Sequence, residues 1–95
     1  MEHVQQQLVR CLWHRILRLQ QGGEYLWDYG PGYWFYRQVS DDREILAELW
    51  VHHVPGREAD CDEYRLEYDG HVLKVSCDWE CQLDGVPVAD FSPYM

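Results

Sequence analysis

No run of about eighteen apolar residues occurs in this chain of 95, so none of its helices is expected to span a bilayer. The first residues also lack a basic stretch followed by an uninterrupted apolar one, so no secretory leader is expected and a cytoplasmic location is. Positive charge is scarce: eight Lys and Arg stand against seventeen Asp and Glu, a formal charge of −9. Such a surface repels phosphate backbones, which disfavours direct nucleic-acid binding and suits a basic partner instead. The deficit is uneven. Residues 1–23 carry three arginines against one glutamate, a local +2, whereas residues 24–95 carry five basic and sixteen acidic side chains, −11. Chemistry-bearing motifs are missing as well: no P-loop, no Gly-rich dinucleotide turn, no nucleophile elbow and no H-E-x-x-H, so catalysis and a cofactor are not expected. Internal repeats and low-complexity tracts are absent too.

The four cysteines, Cys11, Cys61, Cys77 and Cys81, match no paired C-x-x-C zinc spacing. On one continuous strand, Cys77 and Cys81 would share a face about 13 Å apart, too far for a disulfide. They read as small buried hydrophobes, and free thiols suit a reducing compartment. Asp60-Cys61-Asp62-Glu63 has the opening of a calcium loop but lacks its glycine and closing glutamate. His52 and His53, adjacent on a strand, point to opposite faces and so do not share one metal.

What the chain has in abundance is alternation. From 64 to 83, Tyr64, Leu66 and Tyr68, then Leu73, Val75, Cys77, Trp79, Cys81 and Leu83, alternate with polar residues around Asp69-Gly70. Period two over such a length marks strands with one wet face, and Asp-Gly supplies the positive φ of a type I′ turn. The register pairs Tyr68 with His71, Leu66 with Leu73 and Tyr64 with Val75. A single strand is expected over 71–83. Asp84-Gly85 makes another turn, and Val86-Pro87-Val88 can be at most an edge strand because proline lacks a ladder donor. Residues 86–95 read as a tail.

Upstream, residues 3–21 predict a helix whose apolar stripe is Leu8, Val9, Leu12, Trp13, Ile16 and Leu17, with Gln7, Arg10, His14, Arg18 and Gln21 opposite. Gly22-Gly23 ends it. Strands are expected at about 24–29 and 33–39, joined at Gly30-Pro31-Gly32 by a type II turn. Residues 40–54 admit two readings. Asp41 and Glu44 could begin a capped helix, or a polar turn could lead into a strand at about 44–54. The strand is preferred because the segment ends in Trp-Val-His-His-Val. A charged loop then leads to a strand at 63–69. The whole predicts one α+β domain, an N-terminal helix packed on an antiparallel meander of about five strands. A cystatin-like roll and a half-open barrel share that element order.

The densest signal is aromatic: residues 25–36 hold four tyrosines, two tryptophans and a phenylalanine. Pairing Tyr29 with Tyr33 and Trp27 with Phe35 puts Tyr25, Trp27, Tyr29, Tyr33 and Phe35 on one face and Trp34 and Tyr36 on the other. One helix covers one face of a small sheet, so some rings should be left for a second contact. The reading this supports is a small acidic protein-binding module that occludes a basic partner, itself of a kind that binds nucleic acid. Immunity proteins and phage proteins that block host defences share this profile. Trp27, Tyr29, Trp34, Tyr36 and Trp50 would anchor the contact, with Asp60, Asp62, Glu63, Glu67, Asp78 and Glu80 steering it. The alternatives are a homodimer, or a small-ligand or cationic-peptide site in which rings beside Asp28, Glu24 and Glu48 cage a cation or stack a sugar.

Overall fold

A computed structural model describes residues 2–22, 24–30, 32–53, 62–76, 79–89 and 91, with the backbone alone for 2–4 and 24–30. The helix α1 (Glu2–Gly22) is followed by seven strands: β1 (Glu24–Gly30), β2 (Tyr33–Val39), β3 (Ile45–His53), β4 (Asp62–Tyr68), β5 (His71–Val75), β6 (Cys81–Leu83) and β7 (Val86–Val88). They form one antiparallel sheet in the order β1 to β7, each strand beside its sequence neighbours. This is the α+β meander that the alternation predicts, with two more strands than expected.

Local chemistry sets the turns. Asp69 and Gly70 both have positive φ (52° and 77°), as do Asp84 and Gly85 (53° and 84°), the signature of type I′ hairpins. The β4–β5 register is the expected one, with Tyr68 opposite His71, Leu66 opposite Leu73 and Tyr64 opposite Val75. Residues 45–53 form the strand rather than the helix, entered through a polar turn. Pro87 sits on the edge strand β7, opposite Gln82, where its missing N–H costs no ladder bond.

The expected single strand over 71–83 is corrected. It is broken into β5 and β6, which pair back on each other with Val75 opposite Cys81 and Leu73 opposite Leu83. Opposed residues of a hairpin face the same side of the sheet, and 75 and 81 have the same parity. Odd positions therefore stay inward through the reversal, and alternation cannot tell the hairpin from an unbroken strand. The 13 Å argument against a Cys77–Cys81 disulfide loses its basis with that strand; Cys77 and Cys61 lie outside the described residues. Trp79, expected inward, is exposed at the turn with φ +61°. Its edge still meets the Trp13 ring, 5.8 Å between centroids.

This turn has a counterpart between β2 and β3. In both, a serine N–H donates to the carbonyl of the glutamate four residues on (Ser40 to Glu44, Ser76 to Glu80, each 2.8 Å). The glutamate N–H returns a bond to the serine Oγ, at 3.1 and 3.2 Å. The residue before each glutamate, Arg43 or Trp79, is left-handed. Ser-Asp-Asp-Arg-Glu and Ser-Cys-Asp-Trp-Glu are thus a short repeat that the sequence reading missed.

The core lies between α1 and one face of the sheet. Val9, Leu12, Trp13, Ile16 and Leu19 from the helix meet Ala47, Leu49, Val51, Leu66, Leu73, Val75, Cys81 and Leu83, all buried. Leu17, placed on the apolar stripe by spacing, is exposed, and Leu19 takes its place. Arg10, His14 and Arg18 face solvent as expected. Arg15 does not: it donates to Gln38 Oε1 (3.1 Å) and Tyr68 Oη (3.0 Å), with its guanidinium 4.3 Å above the Tyr68 ring. Burial pushes the Cys81 thiol up to about 11.

Candidate functional site

Strand alternation sorts the aromatics. Trp34 and Tyr36 lie opposite Val51 and Leu49, so they belong to the helix-covered face, half-buried against the core. Their expected full exposure is corrected to a partial one: the two faces were separated properly, but the helix covers theirs. Tyr33, Phe35 and Arg37 take the outer face with Glu48, Trp50 and His52 of β3. Trp27 lies opposite Phe35 as expected. Gly30 rather than Tyr29 lies opposite Tyr33, because β1 carries two register shifts. The side chains of Trp27 and Tyr29 lie outside the described ones.

Register continues the outer face across the sheet. One row runs Phe35, Trp50, Arg65, Lys74, Gln82, and its neighbour runs Tyr33, His52, Glu63. Each ring in these rows has a partner. Phe35, only 2% exposed, packs on Trp50 at 5.0 Å. The Arg37 guanidinium lies 5.4 Å from the Phe35 centroid and that of Arg65 lies 5.0 Å from Trp50. Tyr33 and His52 stack at 4.1 Å, 3° from parallel, although Tyr33 remains 46% exposed.

These rows and the turn that links β5 to β6 enclose a cleft of about 460 Å³. Its walls are Tyr33, Trp50 and His52 on one side and Ser76, Glu80 and Gln82 on the other. Arg65 and Lys74 lie between them and Glu63 lies at the rim. Of the residues singled out from sequence, Trp34, Trp50, Glu63 and Glu80 converge here. Glu67 lies one row away, bonded to Arg65 at 2.8 Å. Asp62 is held on the helix side by His53 Nδ1, at 2.9 Å, so His52 and His53 do point apart. Asp60 and Asp78 lie outside the described residues. Tyr33, His52, Arg65, Lys74, Ser76 and Gln82 were missed. The signal for two of them was present, since pairing Tyr64 with Val75 already sets Arg65 opposite Lys74.

Gly32 leads into Tyr33 of the cleft wall. Its φ is +81°, its carbonyl accepts the His53 N–H at 2.7 Å, and an added Cβ would meet the His53 oxygen at 3.0 Å. Only glycine fits such a place without strain. Tyr64, beneath the cleft, has its hydroxyl pKa raised by burial and by the Asp62 carboxylate, against a lowering bond from Gln20.

The acid collects elsewhere. In a meander the connections alternate between ends, so residues 40–44, 69–70 and 84–85 share the end away from the cleft. There Asp41, Asp42, Glu44, Asp69 and Asp84 are exposed, with Arg43 as the one cation among these turn residues. Ile45 and Leu46, 52% and 42% exposed, border them and line a shallow basin of about 330 Å³ with Glu48, Glu67 and His71. Asp84 accepts the Val72 N–H and a bond with His71 Nδ1, both at 2.8 Å, which hold its carboxyl below the usual range. Among the described residues, no group of three or more His, Cys, Asp and Glu could hold a metal ion, and no helix is long and apolar enough to cross a membrane.

No family model, curated protein or solved structure matches this chain.

Proposed function

We propose that this protein is a binding module that covers a basic surface of another protein, in the manner of a small inhibitor or immunity protein. The observation that carries the reading is the acidic sheet end: five exposed carboxylates against one arginine, with Ile45 and Leu46 uncovered beside them. Carboxylates steer a positively charged partner and set orientation, while desolvated aliphatic groups hold it. A protein whose own ligand is nucleic acid has a surface of the required sign, and occluding it needs no catalytic group. The free thiols of Cys11 and Cys81 suit a reducing compartment such as the cytoplasm. The contact differs from the one expected from sequence. The outer sheet face mixes Arg37, Arg65 and Lys74 with its glutamates, so the net acid that attracts a basic partner lies at the turns.

The test compares partner capture from the source cell by the wild-type chain, by a D41K/D42K/E44K variant and by K74E. A basic protein retained by wild type and K74E, lost on the order of tenfold or more by the triple variant and weakened by salt, supports the reading. Retention indifferent to both the charge reversal and the salt overturns it.

A further inference from the structure

We propose that the outer-face cleft is a binding site for a small aromatic anion, a planar ring bearing a phosphate or carboxylate, separate from the acidic end. The central observation is the placement of Arg65 and Lys74 as opposed neighbours on β4 and β5, in a chain with only eight Lys and Arg. Like charges directly opposite one another weaken a sheet. Of the two, Arg65 has Glu67 as a partner, in a pair exposed enough to be largely screened, whereas Lys74 has no ion pair among the described residues. An anion seated between them would relieve the repulsion and accept a charge-assisted bond from each.

The rest of the cleft fits the remainder of such a ligand. A volume of about 460 Å³ is in the range of small-molecule sites. Tyr33, stacked flat on His52 and half exposed, offers a surface on which a planar ring can lie. Ser76 and Gln82 bring a hydroxyl and an amide from the opposite wall, and Glu80 on that wall and Glu63 at the rim can accept ring N–H groups. The opposite polarity, a cation caged by rings, is disfavoured by what the rings already hold. Arg65 lies over a face of Trp50 and Arg37 over a face of Phe35, and the charges of Arg65 and Lys74 repel a further cation from the cleft.

Calorimetric titration of the full chain tests this with adenosine monophosphate, indole-3-carboxylate, adenosine and tryptamine. Binding of either anion at least on the order of tenfold tighter than adenosine and tryptamine is expected, weakening with salt. The two anions separate a phosphate site from a carboxylate site. Lys74→Glu should lower anion affinity by about tenfold or more and Lys74→Gln by less. Tyr33→Ala should cost several-fold. Lys74 is exposed, so circular dichroism of its variants should match wild type. Absence of binding by both anions at millimolar concentration overturns the proposal. So does affinity unchanged in Lys74→Glu, or preference for tryptamine that falls in Glu63→Gln. The acidic-end variant D41K/D42K/E44K should bind the anions as wild type does, so either proposal can fail alone.

Discussion

Two parallel rows cross the same strands. On the inner side Tyr36, Leu49, Leu66, Leu73 and Leu83 stand in register beneath the helix; on the outer side Phe35, Trp50, Arg65, Lys74 and Gln82 do so beneath none. The leucines are buried by other apolar groups, chiefly from α1. The outer rings are sheltered by guanidinium groups and a histidine, which keep their charged or polar ends in water. A face with no second layer among the described residues can therefore carry Trp where a long cationic side chain lies over it. The ring faces so covered, one of Trp50 and one of Phe35, are no longer free to cage a further cation. Lys74, next along the row, lies over no ring among the described residues, and there the cleft opens.

Substitutions should break this contrast in a graded way. Leu66→Ala, in the centre of the covered row, should lower unfolding free energy by about 2–5 kcal/mol in urea titrations. An outer-row change such as Lys74→Ala should stay within about 0.5 kcal/mol, as surface substitutions do. Equal losses on the two faces would mean that the outer row is a second core. The ring–cation shelter should be resolved by a double-mutant cycle of Trp50→Ala and Arg65→Ala, with a coupling of about 0.5–1 kcal/mol. Additive effects would reduce the contact to proximity. The smallest effect belongs to the acidic end, where Asp84 is solvent-exposed. Its folded carboxyl ionises below the ordinary range, so between the two values the unfolded chain binds more protons and stability rises with pH. The stabilisation is present above the usual carboxylate pKa and lost as pH falls through the lowered one. Thermal unfolding from pH 5 down to 2 (about that range brackets Asp carboxyls) should show a shallower decline in Asp84→Asn than in wild type.

Much of this fold was legible because its elements are local. Asp-Gly turns, the amphipathic helix and the β4–β5 register each depend on residues close in sequence. The strand at 45–53 was legible through its β-branched and aromatic end. The reversal at 76–80 was not, because five intervening residues preserve parity, and a serine and an αL tryptophan do the work usually given to glycine. The candidate site was legible only in pieces. Alternation divides rings between two faces, but which face a helix takes depends on Leu12, Ile16 and Leu19 finding Leu49 and Leu66, a long-range match. The neighbourhood of Trp50 and Arg65 likewise depends on the β3–β4 register, set across a connection of eight residues whose length, unlike a two-residue Asp-Gly turn, does not fix the pairing.

Every strand of this sheet pairs only with those beside it in sequence, so each pairing closes a short loop of chain and costs little entropy beyond the last. The helix alone joins distant parts: Trp13 packs edge-on against Tyr64, Trp79 and Phe91, at 5.4, 5.8 and 5.7 Å. Hairpins of this kind can zip up rapidly and one after another, yet a one-layer sheet gains little until a second layer docks. The docking of α1 is then the step expected to limit folding, and the fluorescence of Trp13, followed in refolding, is the signal that would report it.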